Sequence, residues 1–117
     1  MTATRRVLLA RHPETEANVT GRWVGRGNAP FTDLGEKQIA AIAREIVTFE
    51  PDHVMSSPLD RARIPAELGA HGAQTSLGID PRLSELDFGD AEGLTMEEAH
   101  ERGIPFDFTS VDAPVAP

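Results

Sequence analysis

Two short apolar runs and the amphipathic segment between them constrain the fold of this chain most tightly. The first run, residues 5–10, ends in Val7, Leu8, Leu9 and Ala10 between basic flanks, and reads as a short buried strand; residues 53–56 form the second. Between them Ile39, Ile42, Ala43, Ile46 and Phe49 recur with the helical period, which predicts a helix over 33–49 with one face on a core. Thr32 or Asp33 can cap its start, and Pro51 separates it from the second run. Buried strand, helix, buried strand is the βαβ pattern of an α/β domain with helices layered on a parallel sheet.

The second half continues the alternation. Ser57-Pro58 marks another helix start, with Ser57 as cap and Pro58 in the first turn, and that helix carries Leu59, Arg61, Ala62 and Arg63. Pro65 is expected to interrupt it, because its ring meets the carbonyl of Arg61 four residues back. A weak strand is expected over 75–79, ended by Asp80-Pro81, and Thr95 with Glu98 reads as the capping box of a short helix stopping at Gly103. Residues 12–31 follow neither period. Gly21, Gly25, Gly27, Asn28 and Pro30 make this stretch a long irregular loop, and long loops in small domains are often functional.

Composition limits what such a domain can do. A length of 117 residues allows one domain at most and excludes an eightfold βα barrel. Without cysteine there are no disulfides, thiolate metal sites or cysteine nucleophiles. The net charge of −8 argues against nucleic acid as a partner. The apolar run near the start is too short to cross a bilayer, so no membrane association and a cytoplasmic location are the expectation. Residues 1–63 hold nine Lys/Arg against eight Asp/Glu, whereas residues 64–117 hold two against eleven. An anion site therefore belongs in the first half.

Arg11-His12 stands directly after the first run, at the carboxyl end of a strand, where open α/β sheets bind ligands. A neutral imidazole beside a guanidinium can attack an anionic electrophile such as a phosphate monoester, with the arginine neutralising the phosphoryl oxygens. Asn18 can donate an amide hydrogen bond to the same oxyanion. Arg61 offers a second guanidinium at a helix start, where the helix dipole also favours anions. Glu85 lies in a loop after a candidate strand and can protonate a leaving oxygen, then activate water. Metal chemistry finds less support: there is no His-Glu-x-x-His, and Glu97 with His100 is a single Glu-x-x-His where a dimetal bundle needs two. His53, His71 and His100 read as structural or solvated.

The segment from Ala10 through Arg11-His12-Pro13-Glu14-Thr15 to Asn18 resembles the signature of the histidine phosphatase superfamily, the phosphoglycerate mutase-like family. The resemblance continues through Gly21-Arg22-Trp23 to Gly25, then through Asn28-Ala29-Pro30-Phe31-Thr32-Asp33-Leu34-Gly35 with Gln38. It returns at Ser56-Ser57-Pro58-Leu59-Asp60-Arg61-Ala62 and at Arg82-Leu83-Ser84-Glu85-Leu86-Asp87-Phe88-Gly89 with Glu92-Gly93. It implies a three-layer α/β/α phosphoglycerate mutase-like fold, incomplete at the C-terminus, with residues 1–103 as the N-terminal part of the domain and 104–117 as an irregular tail. His12 would be the nucleophile that becomes phosphorylated, and Glu85 the proton donor. Arg11, Asn18 and Arg61 would hold the phosphate, and the backbone at Gly25 would line the substrate side. Neither metal nor organic cofactor is expected, and the partner is a phosphorylated small molecule.

Departures from the family pattern set the alternatives. Pro13 replaces the usual glycine after the histidine and so removes one backbone donor. Pro65 replaces a common threonine, Ala91 a common tryptophan, and the family's second histidine, in a His-Gly pair after a later core strand, has no counterpart. His71-Gly72 is a loop or helix end with no apolar strand before it. The alternatives to a phosphatase are a truncated, inactive or phosphate-binding relative, and a mutase-type phosphotransferase. A missing core strand would leave unpaired edges, which favour a homodimer.

Overall fold

Thr32 starts the longest helix: its Oγ1 accepts the Gly35 N–H at 3.0 Å, satisfying one of the orphan donors of the first turn. In the computed structural model, which describes residues 4–106 and 116, α1 is Glu16–Thr20 and α2 is this helix, Asp33–Phe49. Then come β1 (Val54–Ser56), α3 (Asp60–Gly72), β2 (Leu77–Ile79) and α4 (Met96–Glu101), with 3₁₀ turns at Pro81–Leu83 and Gly89–Ala91 between the last two. β1 and β2 pair in parallel, Val54 opposite Leu77, Met55 opposite Gly78 and Ser56 opposite Ile79, with α3 as the crossover. A βαβ unit is present, but it is built from β1, α3 and β2 and not from residues 5–10, α2 and β1 as the sequence suggested.

The core lies between α2 and α3. Ile39, Ala43 and Ile46 are buried on α2, and Ala66, Gly69 and Ala70 on α3. Small residues on α3 let the helices approach closely. A Cβ on Gly69 would lie 2.4 Å from Ile46 Cδ1 and 2.9 Å from Ile46 Cβ, so glycine is required for the contact. Glu50 closes α2 in the left-handed region, at φ 53°, with its N–H on the Val47 carbonyl.

Several expectations are corrected here. Residues 5–10 form no strand; Val7 and Leu9 are exposed, and the segment makes no ladder with another described residue. An apolar run becomes a strand only with a paired neighbour, and this one is separated from β1 by an open groove of about 630 Å³ lined by Ile42, Ile46, Val54 and Ala66. Arg6 packs its guanidinium 4.9 Å from the centre of the Phe49 ring. The stretch 12–31 is not wholly irregular, since it holds α1. α3 begins at Asp60 with Leu59 as N-cap, not at Ser57, whose Oγ instead accepts the Leu59 N–H. The helix also runs through Pro65: the missing N–H forfeits a single bond to Arg61, and the buried ring sits on the side that packs into the core. At α4, Thr95 caps as expected, but Glu98 turns to Arg22 at 3.0 Å instead of completing the box. Most of the tail expected over 104–117 lies outside the described residues. Among the described residues no helix is long and apolar enough to cross a membrane.

Two outcomes follow from this packing. Gly69→Val should destabilise the chain by about 1–3 kcal/mol through overpacking against Ile46, read as a lowered melting temperature. Asp80, which caps the first 3₁₀ turn, has its carboxyl pulled down from 3.8 to about 2 by the Arg82 guanidinium and the Arg82 N–H. Its stabilising contribution is therefore complete above pH 3.8 and lost as the pH falls through about 2. Carboxyl NMR should give that low midpoint, and Arg82→Ala should return it towards 3.8.

Candidate active site

The Arg11-His12 segment is held from its C-terminal side by the start of α2. Glu14 gives its N–H to Gln38 Oε1 at 2.8 Å, its carbonyl accepts the Thr32 N–H, and its carboxylate accepts the Thr32 hydroxyl at 2.8 Å. Gly35 allows this contact, because a Cβ there would lie 2.1 Å from the Glu14 carbonyl oxygen. Thr15, only 2% exposed, bridges to Phe31, and Glu16 N–H reaches the Pro30 carbonyl. Thr32, Gly35 and Gln38 recur at three-residue steps along α2, so they fall near one face and meet the same strip of chain. In the sequence Thr32 was visible as a candidate cap, whereas Gly35 and Gln38 were visible only as part of the resemblance, without a role.

His12 is half-buried and rests its Nδ1 2.6 Å from the Pro13 carbonyl. A carbonyl can only accept, so Nδ1 carries the proton and in a neutral ring Nε2 keeps its lone pair. Pro13 is fully buried. Asn18 stands in α1, where Oδ1 accepts both the N–H and the hydroxyl of Thr15. That use of the oxygen fixes the amide orientation and turns Nδ2 into the available donor.

Arg61 is 7% exposed and lies in the first turn of α3. Its guanidinium donates to the carbonyls of Gly27 at 3.0 Å, Val24 at 3.2 Å and Gly25 at 2.5 Å. Neither Arg61 nor Arg11 has a carboxylate partner among the described residues, in contrast to Arg22, Arg63 and Arg82. The loop that Arg61 holds is fastened on its other side as well. Gly25 N–H points between the two carboxylate oxygens of Glu92, at 3.0 and 3.1 Å, and Trp23 packs against Phe88 with ring centres 5.3 Å apart and planes tilted by 47°. A Cβ on Gly25 would lie 2.0 Å from the Leu86 carbonyl oxygen, so this loop and the Glu85 segment are in backbone contact. Arg26 Nε donates to the Glu85 carbonyl at 2.9 Å, while the exposed Glu85 carboxylate accepts the N–H of Leu86.

Two groups of expected site residues emerge. Arg11 and His12 stand at the groove with Ser57 and Ala62, the residues flanking the start of α3. Arg61, Gly25 and Glu85 are joined through the loop at 24–27. Asn18 belongs to neither group by direct contact; it is tied to the first through Thr15. Glu92 entered the sequence reading only as part of the resemblance, without a role, because its partner Gly25 is 67 residues away and no local pattern marks the pair.

Residues 7–112 match the model of the histidine phosphatase superfamily (branch 1). The chain is 37% identical over 95 residues to the "Probable phosphoglycerate mutase GpmB" of Cronobacter sakazakii, a match covering 81% of this chain and 44% of that protein. A mycobacterial glucosyl-3-phosphoglycerate phosphatase solved with VO3 is similar at 30% identity and a TM-score of 0.71, over 78% of this chain and 44% of that one. The alpha-ribazole phosphatase of Shigella flexneri gives 32% and 0.72, over 79% and 46%. The chain thus spans about half the length of the relatives it matches. These likenesses bear out the α/β phosphoglycerate mutase-like fold class.

The α2 clamp can be tested directly. Gly35→Ala should force the Glu14 carbonyl to move, cost about 1–3 kcal/mol and shift the His12 imidazole resonances. Unchanged His12 signals in a folded variant would show that the clamp does not orient the histidine.

Proposed function

The chain belongs to the histidine phosphatase superfamily, and from that premise we propose that it hydrolyses phosphate monoesters through a phosphohistidine on His12. The observation that carries the reading is Arg61, a buried guanidinium bonded among the described residues only to neutral carbonyls. A buried charge is costly unless matched, and carbonyl dipoles offset it without neutralising it, so an anion completes the site. A dianionic phosphate fits that need; Arg11 and the Nδ2 of Asn18, which make no direct contact with Arg61 among the described residues, are the further donors that this reading brings to it.

The reaction has two displacements. His12 Nε2 attacks phosphorus in line, forming the N–P bond as the ester P–O bond breaks, and the Glu85 carboxyl gives its proton to the leaving alkoxide. Water then attacks the phosphohistidine, losing a proton to the Glu85 carboxylate, and inorganic phosphate leaves with His12 restored. Bonding of Nδ1 to the Pro13 carbonyl supports this by keeping Nε2 unprotonated in the neutral ring. The substrate is a phosphorylated small molecule, and the reaction needs neither metal nor organic cofactor. The proposed site of action is the cytoplasm.

A second reading is a module that binds phosphorylated ligands without turning them over, and the separation of Arg11 and His12 from the group of Arg61, Gly25 and Glu85 favours it. Incubation with 4-nitrophenyl phosphate separates the two. A hydrolase should release nitrophenol and carry acid-labile phosphate, and His12→Ala should abolish both, lowering turnover by more than about 10³-fold. Orthovanadate binding without turnover would select the binding module.

A further inference from the structure

We propose that Glu92 is a positioning residue that locks the loop at 24–27 between the phosphate-binding arginine and the proton donor. The inference rests on the reading of Arg61 and Glu85 given above. The loop meets three neighbours with complementary polarity. Its carbonyls at Val24, Gly25 and Gly27 face the Arg61 guanidinium, and its Gly25 N–H faces the Glu92 carboxylate. A cation thus grips the oxygens of the loop and an anion grips one of its N–H groups. Charge-assisted bonds of this kind are about twice as strong as neutral ones.

The third neighbour is the Glu85 segment. Gly25 lies against the Leu86 carbonyl, and Arg26 donates to the carbonyl of Glu85 itself. Gly27 also faces Glu92, whose Oε2 lies 3.1 Å from where a Cβ on that glycine would stand. Without the carboxylate, the Gly25 N–H loses the one hydrogen-bond acceptor it has among the described residues, while Arg61 still pulls the carbonyls one way. The loop then rotates away from residues 85–88, and Glu85 loses its backing. Glu92 touches neither nucleophile nor proton donor; it acts through Gly25.

A misplaced proton donor has a kinetic signature that mere loss of stability lacks. An alkyl phosphate needs protonation of its leaving oxygen, whereas a nitrophenolate leaves without it. Glu92→Ala should therefore lower kcat/KM for glycerol phosphate by about 100-fold, the scale of a 1 Å misplacement. The loss with 4-nitrophenyl phosphate should stay below about tenfold. In ¹⁵N-labelled protein the Gly25 amide proton should lose its downfield shift and exchange protection. Glu92→Gln, which keeps one acceptor oxygen, should show both effects at smaller size, and it carries the test if the alanine variant does not fold. Equal losses on the two substrates, or an unmoved Gly25 amide, would overturn the proposal. If the wild-type chain turns over neither substrate, the hydrolase reading falls, and orthovanadate affinity decides the latch. At least tenfold weaker binding in the variant supports it, and equal binding overturns it.

Discussion

Arg61 is the interaction on which the candidate site depends. Its charge is withdrawn from water in the first turn of α3 and bonded to three carbonyls of a loop 34 to 37 residues earlier in the chain. The guanidinium fork suits this task, since its planar donors reach several oxygens at once where an ammonium would present a single point charge. By holding the loop, Arg61 turns the βαβ unit into a base for residues that belong to no regular element. Gly25 and the segment at 85–88 then pack where no side chain larger than hydrogen fits.

The second support is independent and works on the other group of residues. Glu14 is held through its N–H, its carbonyl and its carboxylate by α2, whose own start is capped by the same Thr32 that bonds Glu14. One threonine hydroxyl therefore begins the helix and fastens the segment that carries His12. Each of these bonds is worth about 1 kcal/mol. Together they fix the histidine's neighbour on one side, while residues 5–10 run exposed on the other.

What could be read from the sequence follows the range of the interaction. α2 was legible over its length, with Thr32 or Asp33 as its cap, because apolar period and capping are local. β1, α3 and β2 were legible as elements, since short apolar runs bounded by proline and glycine mark them. Residues 5–10 misled, because the same apolar pattern is a strand only if a partner pairs with it. Pro65 misled too: its local penalty is real, yet burial against the core outweighs the single lost bond. The candidate residues Arg11, His12, Asn18, Arg61 and Glu85 were legible as residue types at a familiar spacing. How they are held was not, because Gln38, Glu92 and the Val24–Gly27 carbonyls make contacts between distant parts of the chain.

The sequence separation of those contacts has a consequence for folding. α2 and α3 can form from neighbouring residues, and β1 pairs with β2 across a single helix. The loop at 24–27 instead closes on Arg61 across 34 to 37 residues, on Glu85 across 59 and on Glu92 across 67. Chain entropy must be surrendered before such closures return any bonding, and the cost rises slowly with the separation. The geometry that would handle phosphate thus rests on closures longer in sequence than the β1–β2 pairing of the scaffold.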